Sequence, residues 1–507
     1  MNSNKVPSVV VLDEPPLEFG YGQRVASPHD GLSLFGPFEQ NGPGHPQSPS
    51  YIVLGASEGI RLFENWSQAM SLPTAEPVRE KKNTHLLWPP FPGYEAALAS
   101  KWSDRPAKAF AIDREALLTA SRKKDPHERC FAVVDLYLEA LERRKKLDTV
   151  VSVAVCVVPE EVHTNCRTQS RVASPSDEGI TAHEKDSRRR GQGDLFTEFN
   201  RDQYFMSPDF RRQLKARSMA HKIPIQIIRE STLRLSSEAP FGERRLTPLS
   251  DRMWNLSTAL YYKCGGKPWR LATARDGVCY IGLAFRRSEE DTTTACCAAQ
   301  MFLDSGDGVV FLGEFGPWYS PKDHQFHLTR TAARNLLKGV LQTYQDLEGK
   351  PLREVFLHSR STITAEEFAG YTEACPPGVK LVGIRVRKDR DGPRLFRDGS
   401  MPVLRGTLVR LGERTGYLFG AGFKPRIGTY DGWEIPLPLR IDIEHGEAVI
   451  DQVAADILGL TKLNYNACRL GESEPVTVGF SDAVGEILIS NPRIPADTRQ
   501  PSFRFYI

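Results

Sequence analysis

Along the first half of the chain, uniformly apolar runs alternate with amphipathic stretches. Tyr51-Ile52-Val53-Leu54 is apolar at every position, and after Gly55 the segment GIRLFENWSQAM places Ile60, Phe63 and Trp66 at helical spacing. A strand, a turn and a helix are predicted there. A charged helix, DLYLEALERRKK, precedes a second run, TVVSVAVCVVP from Thr149, which is apolar enough to be covered on both faces. Together these units predict a parallel α/β domain, preceded by an irregular Gly/Pro-rich stretch, GPFEQNGPGHPQSPS.

Residues 167–194 are polar, poor in aromatics and without period, which reads as a mobile insertion into that domain. Beyond GGKPW near residue 265 the pattern changes. An apolar strand from Val278 to Phe285, then CCAAQMFLD, a SGDG turn and GVVFLGEF predict an antiparallel meander. RTAARNLLKGVLQTYQ follows, with Leu336, Leu337, Val340, Leu341 and Tyr344 on one helical stripe, and then a return strand, EVFLH. Further strands are expected around Lys380–Arg387, Val403–Leu411 and Leu439–Ile443, before the helix VIDQVAADILGLTKL and the apolar tail FRFYI. A meander, a helix and a return strand suggest an RNase H-like layer.

Length adds that 507 residues exceed one hydrophobic core, since single cores stop growing at roughly 250 to 300 residues. Two domains are expected, at 1–265 and 266–507. The N-terminus, MNSNKVPSVVVLDEPP, lacks the basic start and long apolar core of a signal peptide, and no apolar run approaches the roughly 20 residues that span a bilayer. A cytoplasmic location is the expectation. The nine cysteines form no CxxC pair and sit mostly in apolar runs, as buried thiols do, so neither a disulfide framework nor a zinc site is expected. Net charge is only +3, so any surface for a polyanion must be local.

The window DFRRQLKARSMAHKIPIQIIRESTL carries the most chemistry. Arg211 and Lys215 stand one turn apart on a helix, Gln226 follows the apolar step Ile223-Pro224-Ile225, and Lys263 ends a later helix just before a glycine pair. Two cations, an amide and a further lysine suit a phosphate, which needs several donors and local positive charge. Taken alone, the Arg211/Lys215 pair also fits an ordinary solvated helix face.

The whole phrase is similar to the MID pocket of Argonaute proteins: an Arg, a Lys one turn on, a Gln after IP-x-Q, and a Lys before the PIWI domain. YYKCGGKPWRL, ACCAAQMFLD followed by GEFGPWY, LTKLNYNAC and FRFYI also resemble stretches of short prokaryotic Argonautes, in this order along nearly the whole chain. The resemblance implies an α/β protein, a Rossmann-like MID domain followed by an RNase H-like PIWI domain. It implies that Arg211, Lys215, Gln226 and Lys263 bind the 5′-phosphate of a guide RNA. It also implies that the Ile507 carboxylate helps through Mg²⁺, a hard cation that prefers oxygen ligands. FRFYI also reads as a simple terminal strand.

Cutting by an RNase H-type site needs carboxylates holding two metal ions about 4 Å apart. Where slicing relatives carry Asp on the opening PIWI strand this chain has Ala284, and Ser359 is aligned with the second Asp. Asp304, Asp307, Glu314 and Asp442 remain as acids, the first two in a turn that favours Asp. The chain is therefore expected to be no enzyme. Arg286, Arg287, Arg360, Lys388 and Arg390 are candidates for a basic channel. The resemblance further implies recognition of complementary single-stranded DNA of invaders, and a heterodimer with an APAZ-bearing effector that oligomerises on target binding. A TIR NADase is the first expectation for that effector, with Sir2 or a nuclease as alternatives and abortive infection by NAD depletion as the outcome. A guide-directed nuclease in its own right is the rival reading.

Overall fold

The computed structural model describes residues 7–77, 88–170, 172, 187–188, 190, 200–236, 245–287, 295–303, 308–347, 351–425, 427, 430, 432, 434–491 and 498–507. Most of the 167–194 insertion, and with it the expectation of a mobile segment, lies outside the described residues.

Two sheets organise the chain. The smaller has four parallel strands in the order Lys108–Ala111, Tyr51–Gly55, Val153–Val158, Ile225–Arg229. Tyr51–Gly55 and Val153–Val158 are buried at every position, as expected of strands covered on both faces. The helix Ser57–Met70 turns Ile60, Phe63, Trp66 and Met70 inward. Asp113 and Asp125 start the helices Arg114–Ser121 and Pro126–Glu142, each side chain accepting from the first-turn amides.

The larger sheet is mixed. Its nine strands run, edge to edge, Ser8–Val11, Thr407–Arg410, Thr415–Leu418, Leu439–His445, Lys380–Lys388, Glu354–Ser359, Val278–Arg287, Ala295–Leu303, Gly308–Gly316. The meander Val278–Gly316 is antiparallel as the pattern predicted, although its turn residues 304–307 lie outside the described residues. Glu354–Ser359 returns parallel to Val278–Arg287 through the helix Arg330–Leu347. That helix covers one face, with Leu336, Leu337, Val340 and Leu341 against Ile281, Leu283 and Leu357. Ile450–Leu460 and Ser481–Ile489 contribute to the core on the other.

Two segments tie the halves together. Ser8–Val11 pairs with Thr407–Arg410, so this part of 1–265 joins the larger sheet, not the smaller. Behind it, Glu14 accepts from the buried Lys462 and Arg405, each at 2.9 Å. The helix Leu249–Lys263 is buried on nearly every side and shares one core with both sheets. Beyond it, the Trp269 indole donates to the Lys462 carbonyl and Tyr465 donates to the Trp269 carbonyl, both at 2.9 Å. Among the described residues, no helix is long and apolar enough to cross a membrane, and seven cysteines are free.

Candidate functional site

Asp209 begins the helix Phe210–Ser218, its carboxylate accepting from the Arg212 amide at 3.0 Å. One helical turn then separates Arg211 from Lys215. Their environments differ. Arg211 reaches solvent, whereas Lys215 is 3% exposed. Lys263, 1% exposed, is the last residue of Leu249–Lys263, and Gly265 at φ +107° reverses the chain just beyond it.

The two lysines meet at Ile507. Lys215 donates to the Ile507 oxygen and to the Tyr506 carbonyl, the latter at 3.1 Å. Lys263 donates to the same Ile507 oxygen and to the Arg504 carbonyl, at 3.3 Å. What holds Ile507 there is the tail before it. Val310 donates to the Pro501 carbonyl at 2.7 Å, Phe503 packs edge-on against Phe302 and Phe480, and residues Phe503–Phe505 form a 3-10 turn, not a strand. The tail is thus anchored on the larger sheet while its last residue lies among the cations of the smaller domain.

Burial, then repulsion from Lys263 and Arg211, pushes Lys215 well below the ordinary lysine range. Burial and Arg211 push Lys263 down to about 7. Burial likewise lowers Arg211, partly offset by Asp209. Gln226 lies on the strand Ile225–Arg229, where its Nε2 donates to the Ile227 carbonyl at 3.3 Å and its buried Oε1 has no partner. No hydrogen bond among the described residues ties Gln226 to the lysines. Sequence reasoning missed Arg504: its guanidinium would stand 3.2 Å from a Cβ at Gly265, and its buried Nε has no partner among the described residues.

A divalent cation does not fit the donor set. Among the described residues no group of three or more His, Cys, Asp or Glu side chains is placed to hold a metal. The Ile507 oxygen already accepts from two ammonium groups. Of the acids that act on Arg211, Asp209 caps its helix and Glu486 sits between Arg212 and Arg286, each at 2.7 Å.

The register of the larger sheet corrects one alignment. His358 pairs with Gly282, and paired residues share a face, so Ala284 faces with Gly282 and His358 while Ser359 faces the other way with Leu283. The residue on the Ala284 side is Arg360, which donates to the Val478 carbonyl at 3.2 Å and to Glu474 at 3.5 Å. Ala284 itself is 2% exposed in an apolar core. Asp442 is taken up by Thr415 and Arg440, at 3.0 and 2.9 Å. Asp304, Asp307 and the Glu314 side chain lie outside the described residues, as does the Arg287 side chain. Of the channel candidates, Arg286 pairs with Glu486 at 2.7 Å and Lys388 with Glu474 at 3.1 Å, while the Arg390 carbonyl accepts from Arg394.

No family model and no curated protein matches the chain significantly. Solved structures do. Clostridium butyricum Argonaute, bound to a guide DNA and a 19-mer target DNA, is similar over 96% of this chain and 54% of that one, with a TM-score of 0.60 at 14% identity. Aa-Ago with externally bound siRNA is similar over 94% and 53%, with a TM-score of 0.53 at 15% identity. A. aeolicus Argonaute gives 95% and 53%, 0.52 and 14%. The fold is therefore Argonaute-like, with the MID–PIWI arrangement of a Rossmann-like and an RNase H-like domain. The chain spans about half the length of those proteins.

Proposed function

We propose that this chain binds the 5′-phosphate of a guide RNA and uses the guide to recognise complementary single-stranded DNA. One observation carries the reading: Lys215 and Lys263, both buried, converge on one point beside Arg211. Burying ammonium groups together is costly, and a phosphate dianion recovers that cost through charge-assisted hydrogen bonds. Gln226, with an unpartnered acceptor, stands ready for a ribose or base donor.

The same reading makes the chain a sensor that does not cut. On the sheet face where an RNase H-type site would gather acids, Ala284 and Arg360 stand instead. Recognition is then converted to effect by a separate APAZ-bearing subunit, a TIR NADase in the first instance, with a Sir2 or nuclease effector as the alternatives. The complex oligomerises in the cytoplasm on target binding, and NAD loss ends in abortive infection.

The test is co-purification with the product of the adjacent gene, followed by NAD⁺ and target integrity after adding 5′-phosphorylated guide RNA and complementary single-stranded DNA. NAD⁺ loss that needs guide and target, leaves DNA intact and disappears in Lys215→Ala is the expected result. DNA cut by this chain without its partner would establish the rival nuclease reading.

A further inference from the structure

We infer that the pocket holds the guide phosphate without a divalent cation, Lys263 occupying the place a metal ion would take between the phosphate and Ile507. The inference rests on the guide-binding reading above. Its basis is the donor set. A Mg²⁺ ion takes octahedral oxygen coordination and needs a free carboxylate to hold it against water. Here the Ile507 oxygen accepts from both Lys215 and Lys263, and neither Asp209 nor Glu486 is free to turn toward it.

Charge leads to the same place. Lys215, Lys263 and Arg211 bring three positive charges, felt by one another as mutual repulsion. A phosphate monoester brings roughly two negative ones at neutral pH. These cations already match or exceed the charge of the phosphate, and a divalent cation would add two more positive charges in a buried site, where uncompensated charge is penalised most. Lys263 is also fixed by its helix: it ends Leu249–Lys263, and the Arg504 carbonyl holds its ammonium from the other side at 3.3 Å. A lysine held at both ends is a preorganised cation that needs no recruitment from solution.

The experiment measures binding of a fluorescent guide RNA, with 5′-phosphate or 5′-hydroxyl, to the full chain in EDTA and in Mg²⁺ at matched ionic strength. The readout is the ratio of the two affinities. A preference for phosphate that changes less than about twofold between buffers is expected, and the same ratio in EDTA should fall at least about tenfold in Lys263→Met, a charge-assisted contact being worth that much or more. A preference that collapses in EDTA and returns with Mg²⁺ overturns the inference while leaving the guide-binding reading intact. A Lys263→Met chain that keeps the full ratio in EDTA overturns the role of Lys263. Equal affinity for both guides in every buffer removes the guide-binding reading, and this inference with it.

Discussion

The pocket around Lys215 and the sheet face around Ala284 are both buried and both hold ionisable groups, yet they treat charge in opposite ways. On the sheet face the described charges are matched: Arg360 and Lys388 share Glu474, and Arg286 pairs with Glu486. His358 is held neutral, burial pulling it down to about 3 while Thr477 meets its Nδ1 at 2.9 Å. In the pocket, three cations gather with no acidic side chain among the described residues hydrogen-bonded to either lysine, and their proton affinities fall. A fold that balances its charges locally has finished its electrostatics. One that leaves them unbalanced is waiting for an anion from outside.

That contrast breaks most sharply if an acid is put where the finished face has none. Ala284→Asp should cost about 3 kcal/mol of stability by denaturant titration, because an unpaired carboxylate would be buried in an apolar core. A variant as stable as the parent that cuts the target would show the face to be a latent catalytic site. Next in size, Lys215→Ala should weaken binding of 5′-phosphorylated guide by roughly 100-fold and leave 5′-hydroxyl guide almost unchanged, as expected for losing a charge-assisted contact worth about 2 to 3 kcal/mol. Equal losses for both guides would place Lys215 in scaffold, not in recognition.

Acidity probes the same difference more gently. Lys263 has a folded pKa of about 7, below its ordinary 10.5, so the free protein bears the cost of its charge below about 7 and is relieved of it as pH rises toward 10.5. Stability of the free chain should therefore climb over that range. Guide binding should move the other way, because the phosphate, already a dianion, requires Lys263 charged: affinity for phosphorylated guide falls by up to roughly tenfold per pH unit above 7. Isothermal titration in two buffers of different protonation enthalpy would reveal the proton taken up. The smallest effect is expected at Glu486→Gln, which releases the partly exposed Arg212 and Arg286 and should cost less than about 1 kcal/mol.

Much of this contrast was legible in the chain. Tyr51–Gly55 and Val153–Val158 announce themselves because a strand covered on both faces is apolar throughout. Lys215 and Lys263 stood out by helical spacing and by resemblance, and the fold brings them to one point. Ser359 was misaligned for a physical reason: Phe356-Leu357-His358 offers no alternation, so nothing local sets which side chain faces which layer. Only the pairing with Val278–Arg287 does that. Arg504 was hidden in an aromatic tail that reads equally well as a strand, and the strand Ser8–Val11 is too short to be seen without the partner it meets much later.

Ser8 faces Arg410, 402 residues away, while Lys215 reaches forward 292 residues to Ile507. Each half of the chain therefore closes on a segment supplied by the other, like the two straps of a buckle. During synthesis the first valines must wait, unpaired, until the chain has been made as far as Thr407. The pocket closes later still, on Ile507. A pocket built this way forms only once both halves have folded against each other, so its geometry reports on the docking of one on the other.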